Sequence, residues 1–320
     1  MDLLLVAGID AANTTSALSA NASRLRSAMN LRAAALAGMM DYDCGVFDVH
    51  GVCLSFQARY SGSHAMNDGA GVLTGAYRVT PNLRVGGFID QRAVQKNPTG
   101  LAFGDERPTV GLFAAYSDQI DGKGLQARIG AAIQRGVVTV SRSVLLDTEP
   151  GAGKAGLNGH VAAAELGWGT RWGDAVVATP YLGLRYTDMS RSAYAERMVS
   201  GTVDYPIAYE AFHQRLATVS AGLRISGMAS AKIGYHLGGG LEHVVHRSVS
   251  AYAGASVISG LESFAIANSG AMNLTVPVGS AGLHYQIDRT QRLTANATLR
   301  GQTFSSQPAV SLLAGYQAAF

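Results

Sequence analysis

The sequence predicts a closed, twelve-stranded antiparallel β-barrel that spans a membrane and holds an N-terminal helix in its lumen. Three observations lead to this prediction. Apolar and polar residues alternate in segments of about ten residues from Val52 onward, short and long connections alternate between the segments, and no apolar run reaches the ~20 residues of a spanning helix. A chain that crosses a membrane without such helices must close its strands into a barrel.

The composition agrees with this class. Of 320 residues, 15% are charged and 39 are glycine, whereas soluble domains average about 25% charged residues and about 7% glycine. The net charge is +3 and the isoelectric point about 8.9. Lysines and arginines are spread along the chain without a cluster, so nothing supports nucleic-acid binding.

Each predicted strand alternates an apolar face with a polar one. The clearest example places Leu293 and Leu299 on one face and Arg292 and Arg300 on the other. In the tenth segment the apolar positions change phase at Gly279, which predicts a β-bulge there. The twelve segments are residues 52–60, 73–79, 83–90, 110–116, 125–134, 162–172, 176–186, 217–225, 233–242, 274–287, 292–300 and 310–320.

The connections between these segments also follow a pattern. Tight turns, such as residues 80–82 and 288–290, alternate with long polar or mixed loops at residues 93–108, 136–158, 188–211 and 246–271. A membrane barrel has short turns at its periplasmic end and long loops outside. A soluble all-β binding protein with several long loops would imitate part of this pattern.

Residues 21–40, ahead of the first strand, are rich in Ala, Leu, Met and Arg and predict a helix. Its small residues make it narrow enough for a barrel lumen, although a helix packed elsewhere or left in the periplasm is the alternative. We expect its arginines to meet acidic residues of the wall. The residues concerned are Arg24, Arg26 and Arg32 on the helix and Asp90, Glu165 and Glu242 on the wall.

Charged residues of the strands fall on the lumen-facing phase, where they would hydrate the pore and hold the helix. Any water-facing strand surface also carries charges, but an arginine at the lipid midplane would cost about 2 to 4 kcal/mol. The predicted lumen-facing charges are Arg59, Arg78, Arg84, Asp90, Arg128, Glu165, Arg171, Arg185, Arg224, Glu242 and Arg300.

Catalytic and metal-binding patterns are missing from the sequence. It contains no G-x-S-x-G, H-E-x-x-H or C-x-x-C motif, and its histidines are scattered. We therefore predict no enzyme activity, no metal and no cofactor.

The chain ends on an aromatic residue that follows alternating apolar positions. These positions are Val310, Leu312, Ala314, Tyr316, Ala318 and Phe320. The pattern resembles the C-terminal signature of outer-membrane proteins, which implies that the barrel-assembly machinery recognises Tyr316 and Phe320. With the helix in front and about twelve strands behind it, residues 21–320 resemble the β-domain of autotransporters.

This resemblance implies a monomeric translocator in the outer membrane of a Gram-negative bacterium. It would anchor and export an N-terminal passenger, and its partners would be lipid, periplasmic chaperones and the assembly machinery. Residues 1–50 would form a linker and lumen helix, and residues 51–320 the barrel. Some relatives cleave themselves at an Asn-Asn pair, which this chain lacks. A passive channel, or a structural or adhesive outer-membrane barrel, is the alternative function.

Two further features concern export. The first fifteen residues lack a basic start and a long apolar stretch, so we expect a longer precursor or a gene truncated at its 5′ end. Cys44 and Cys53 would meet an oxidising periplasm, where they would either pair or remain reduced. A bridge between them would fasten the segment between helix and first strand inside the lumen.

Overall fold

The computed structural model describes residues 9–63, 66–104, 107–119, 122–173, 176–197, 203–267 and 272–320. Helix α1 (Ala11–Met39) precedes all the strands. In chain order the strands are β1 (Val52–Ser63), β2 (Met66–Arg78), β3 (Leu83–Lys96), β4 (Leu101–Gly104), β5 (Thr109–Ser117), β6 (Gly124–Ser141), β7 (Ala152–Trp172), β8 (Val176–Arg191), β9 (Tyr194–Ala195), β10 (Ile207–Tyr209), β11 (Phe212–Met228), β12 (Ile233–Val249), β13 (Tyr252–Ser256), β14 (Phe264–Ile266), β15 (Thr275–Gln286), β16 (Gln291–Gln302) and β17 (Ser305–Ala319).

Twelve of these strands form the barrel wall, each antiparallel to its two neighbours. The order around the wall is β1, β2, β3, β5, β6, β7, β8, β11, β12, β15, β16 and β17. The barrel closes where β17 pairs with β1, from Cys53 opposite Ala319 to Gly62 opposite Val310. A closed wall has no free edge, so its backbone groups stay paired in lipid. The predicted twelve-stranded antiparallel barrel is confirmed.

Side chains alternate between the two faces of the wall. Large apolar side chains point outward, and Leu182 is 68% exposed on that face, whereas Arg59 on the inner face is only 4% exposed. The predicted bulge at Gly279 is wrong, because β12 and β15 pair without a register shift through that residue. Val276 and Val278 instead face the lumen, where they line cavities together with alanine side chains of α1.

The two ends of the barrel differ. We call the end with the short β2–β3, β11–β12 and β15–β16 turns the inner end, and the end with the long connections the outer end. At the outer end β9, β10, β13 and β14 form a separate four-stranded sheet, here called the outer cap. Strand β14 of the outer cap contacts α1. The predicted long loops thus contain strands. In addition, β6 continues past its predicted end at residue 134 to Ser141, and β7 begins at Ala152, ten residues before its predicted start.

Helix α1 begins ten residues earlier than predicted, at Ala11. The Asp10 carboxylate accepts a hydrogen bond from the Asn13 backbone N–H, 2.8 Å away, which satisfies one of the free N–H groups at the helix start. The Asp10 N–H donates to the Asp147 carbonyl at 2.8 Å, between β6 and β7 at the outer end. Within the described residues, no helix is long and apolar enough to cross a membrane.

Candidate functional site

Helix α1 occupies the barrel lumen. In its outer half, buried residues recur every three or four positions, as on a helix with one face packed. In its inner half, burial extends almost around the helix, including the consecutive residues 28–32. Leu18, Leu25 and Leu36 are at most 1% exposed. The helix therefore enters from the outer cap and becomes more enclosed toward the middle of the barrel.

Polar contacts fix the outer half of the helix to the wall. The Asn21 amide donates to the Ser141 carbonyl at 3.1 Å, and the Ser143 hydroxyl donates to the Asn21 side-chain oxygen at 3.3 Å. Arg24 donates to the same Ser143 hydroxyl at 2.6 Å. These residues lie at the outer end of β6, so this strand sets how the helix enters the lumen.

The inner half of the helix has its own polar contacts. Gln214 on β11 donates to the Asn30 side-chain oxygen at 2.9 Å. Arg32 is 2% exposed, lies with its guanidinium 4.0 Å from the centre of the Phe103 ring, and donates to Gln95. Such a cation–π contact stabilises a desolvated arginine.

A buried ion cluster occupies the wall where β1, β2 and β3 meet. Arg59 donates to Asp68 and to Asp90, each at 2.8 Å, and all three side chains are at most 3% exposed. The Tyr42 hydroxyl, just beyond the helix, donates to Asp90 at 2.9 Å. Arg92 on β3 approaches Asp68 at 2.7 Å. Buried charges are tolerated when paired in this way.

Two further ion groups lie on the opposite side of the lumen. Arg185 approaches the Glu242 carboxylate at 2.7 Å, and Arg300 contacts the same carboxylate. Arg224 binds Glu165 at 3.0 Å. Each acid is held by an arginine of a different wall strand, and one further strand lies between the two, so these groups connect next-nearest strands on the lumen surface.

The segment after the helix returns to the wall at the inner end. Asp43 accepts from the Arg84 Nε at 3.0 Å and lies 3.3 Å from Arg128, which also donates to the Met40 carbonyl at 2.7 Å. Cys44 and Cys53 form a disulfide that joins this segment to β1. We call residues 41–51 the linker.

The helix arginines do not meet the acids proposed for them. Arg24 binds Ser143, and the Arg26 Nε has no hydrogen-bond partner among the described residues. Asp90, Glu165 and Glu242 bind wall arginines instead, so that expectation was wrong. Each of these wall arginines lies two strands away from the acid that it binds. They therefore reach the acids without a helix partner.

The other predicted charges are placed as follows. Arg78 faces the linker, donates to the Asp48 carbonyl at 2.7 Å and lies over the Phe47 ring. Arg171, near the inner end of β7, is exposed. Sequence reasoning missed Asp43, Asp68 and Tyr42. The alternation of β2 continues back from Val72 to Asp68, and this signal was available in the sequence.

The C-terminal residues close the barrel. Tyr316 pairs with Phe56 on β1 and with Leu293 on β16, so it belongs to both neighbouring ladders. The Phe320 N–H donates to the Val52 carbonyl at 3.1 Å, and its side chain is exposed on the outer surface.

Comparison with known proteins identifies the family. The family model of the autotransporter β-domain matches residues 54–298. The chain belongs to the autotransporter β-domain family. It is accordingly an outer-membrane β-barrel of type V secretion, and the resemblance, the function and the location expected from the sequence are confirmed. In this family the β-domain is a transport barrel.

Solved autotransporter structures share the fold. The translocator domain of NalP from Neisseria meningitidis is 16% identical with a TM-score of 0.65, and the match covers 90% of this chain and 94% of that one. The β-domain of Bordetella BrkA is 15% identical with a TM-score of 0.53, covering 85% and 100%. The transport unit of AIDA-I from Escherichia coli is 13% identical with a TM-score of 0.51, covering 91% and 98%. No curated protein matches the sequence.

Proposed function

We propose that this barrel exports a passenger segment attached ahead of Asp10, with the lumen as its route. The observation that carries the proposal is the direction of the chain. Helix α1 starts at the outer end, and the linker then returns to β1 at the inner end. Any segment joined to the start of the helix therefore emerges at the outer mouth, where an exported passenger belongs.

The division into two domains follows from the same course of the chain through the lumen. Residues 1–50 contain the helix and most of the linker, and residues 51–320 contain the wall and the outer cap, although residues 1–8 lie outside the described part. In this proposal the first unit is the last part of the chain to travel, and it stays behind as a plug. The second unit anchors it in the outer membrane without doing chemistry of its own.

The wall charges have a defined role in this proposal. Arg59, Arg185, Arg224 and their acids keep the lumen wettable, so an extended polar chain passes without losing all contact with water. The helix is held by a few hydrogen bonds and by apolar burial, with no acidic side chain of its own. These contacts suit a segment that stops in the lumen after transport.

A reporter fusion tests passenger export. A signal peptide and an epitope tag are placed ahead of Met1, and the fusion is expressed in a Gram-negative host. We expect an external protease to remove the tag from intact cells while the barrel keeps its heat-modifiable gel mobility. A passive channel gives the opposite result, with a folded barrel and a tag that is cut only after the outer membrane is opened.

Assembly partners are a second part of the proposal. Phe320 directly follows the strand that closes the wall, and its exposed ring is free for recognition by the barrel-assembly machinery, with periplasmic chaperones delivering the chain. Deleting Phe320 should lower the amount of folded barrel in the outer membrane while synthesis is unchanged. Deleting the inner-end turn residue Arg289 is the size-matched control, and equal losses for both deletions would refute a specific terminal signal.

A further inference from the structure

The helix does not fill the lumen completely. Three cavities remain, with volumes of about 510, 110 and 60 Å³, and the two smaller ones lie beside the helix. The largest, here called the vestibule, is lined by inner-end residues such as Asn82 and Arg289 and by the linker. The smallest reaches Thr303 and Phe304 between β16 and β17 at the outer end. The two larger cavities have mixed polar and apolar linings, the smallest is lined mainly by apolar surface, and each is large enough to hold water.

The three cavities form one series. The vestibule and the middle cavity share Arg128, Glu165 and Arg224 in their linings. The middle and smallest cavities share Ala37 on the helix and the Arg185, Glu242 and Arg300 group on the wall. The helix contributes only small side chains to the smallest cavity apart from Asn30, namely Ala33, Ala34 and Ala37. The alanines leave this gap open, and a larger side chain at Ala37 would close it.

Arginine dominates the charge of this series. Among the described lining residues, eight are arginines and four are acids. Asp43, Glu165 and Glu242 are each paired with wall arginines, and Asp41 is exposed at the helix end. Arg78, Arg289 and Arg292 of the vestibule form no ion pair within the part of the chain that the structure describes. Arg292 donates to Gln286 at 2.9 Å, and Arg78 to a backbone carbonyl.

We propose that the full-length barrel, with helix α1 in place, conducts small anions along the alanine side of the helix. The uncompensated arginines at the inner mouth concentrate anions there, and the wall arginines offer successive weak sites along the narrow part. Rings of arginine or lysine select anions in other pores by the same electrostatics. The inference concerns ions that pass beside the helix in the lumen, so its test does not depend on whether the barrel exports a passenger.

The test uses the full-length protein in planar bilayers. With a KCl gradient across the bilayer, we expect small, steady currents whose reversal potential lies toward the chloride equilibrium potential. Chloride should permeate more readily than potassium by at least about twofold, as expected for an arginine-lined pore. A cation-selective current, an unselective one or no current would each overturn the proposal.

Two variants locate the path and its charge. Ala37→Phe should lower the current, because its ring occupies the gap shared by two cavities, whereas Ser19→Phe on the exposed outer part of the same helix should not. Arg289→Gln combined with Arg292→Gln should reduce the preference for chloride. Arg215→Gln, on the outer surface beside Asp188, removes an arginine charge outside the lumen and should leave selectivity unchanged.

The variants also exclude leakage through a barrel that has lost its helix. If the current came from molecules in which the helix had left, Ala37→Phe would leave the open-state conductance unchanged. That result would overturn the proposal. Equal chloride selectivity in the double arginine variant and in the unsubstituted protein would overturn it as well. Gel mobility of each unheated sample verifies that the barrel is folded.

Discussion

A charge inside this barrel is accommodated by partners from several strands. Arg59 on β1 is shared between Asp68 on β2 and Asp90 on β3, and Tyr42 of the linker completes the coordination of Asp90. Transferring an unpaired arginine from water to such a site is costly, and pairing offsets most of the cost. The cluster therefore fastens three wall strands and the linker together at one point.

Replacing Asp90 with Asn should lower the free energy of unfolding by about 3 to 5 kcal/mol, because Arg59 loses one buried carboxylate. The matched control is Asp188→Asn, whose partner Arg215 is about half exposed. That change should cost less than about 1 kcal/mol. Urea unfolding in lipid vesicles, followed by the fluorescence of Trp168 and Trp172, measures both. Equal effects would contradict the account of the cluster.

The sequence predicted which charged residues face the lumen but not which of them form ion pairs. Strand alternation assigned Arg59, Arg185 and Arg224 to the lumen phase, and the structure places them there. Ion pairing depends on strand register and on the rotation of the helix about its axis. The alternation of apolar and polar residues along a strand determines neither. For this reason the acids expected to meet Arg24 and Arg32 are bound by wall arginines.

Tyr209 in the outer cap offers a pH test. Its hydroxyl donates to Glu196 at 2.8 Å and its ring stacks on Tyr194. Burial, with nearby Tyr252 and Glu196, raises the pKa of Tyr209 well above its usual value. A raised pKa in the folded state contributes stability below the unfolded pKa of about 10, and this is lost as the pH rises beyond it.

The measurement is the tyrosinate absorbance of the wild type minus that of Tyr209→Phe. At pH 11 an ordinary tyrosine is about 90% ionised, but we expect the difference spectrum to show almost no tyrosinate from Tyr209. Ionisation with a midpoint near pH 10 would mean that the ring is solvated and the outer cap is open.

At the scale of elements, the wall strands were predictable and the outer cap was not. Wall strands have one apolar face toward lipid, so their period is visible in the sequence. The outer cap strands β9, β10 and β14 are only two or three residues long, too short to show a period. The first turns of α1 are rich in Ser, Thr and Asn, which individually favour caps and turns. Tertiary contacts with β6 outweigh that preference.

One covalent bond, the Cys44–Cys53 disulfide, adds to the polar contacts that hold the linker on the wall. Replacing both Cys44 and Cys53 with Ala should cost about 2 to 4 kcal/mol, as for other short disulfide loops. Hydrogen exchange should speed up in the linker and remain slow in the wall. Reducing the wild type with a thiol should reproduce this change and leave the double variant unaffected. Unaltered linker exchange in the variant would show that Asp43 and its arginines alone hold the linker.

At the scale of the whole molecule, the helix fills much of the space that the wall encloses. A twelve-stranded wall leaves a lumen that its own side chains do not fill. Apolar residues of α1 belong to one buried cluster with Phe113 and Phe88, and Tyr42 of the linker lies edge-on to the Phe88 ring. The apolar phase change in β15, which predicted a bulge, places Val276 and Val278 on the lumen side near alanines of α1. Strand number, closure and the presence of a helix were therefore predictable, whereas apolar residues on the lumen side were understood only with the helix in place.

The central claim is that α1 occupies the lumen and restricts the pore. The most direct measurement compares the single-channel conductance of the full-length chain with that of residues 41–320 in planar bilayers. Removing the helix opens the lumen that it occupies, so we expect a several-fold rise in conductance from a barrel that retains heat-modifiable mobility. Equal conductance of the two folded proteins would contradict the claim, because the helix would then lie outside the conducting path.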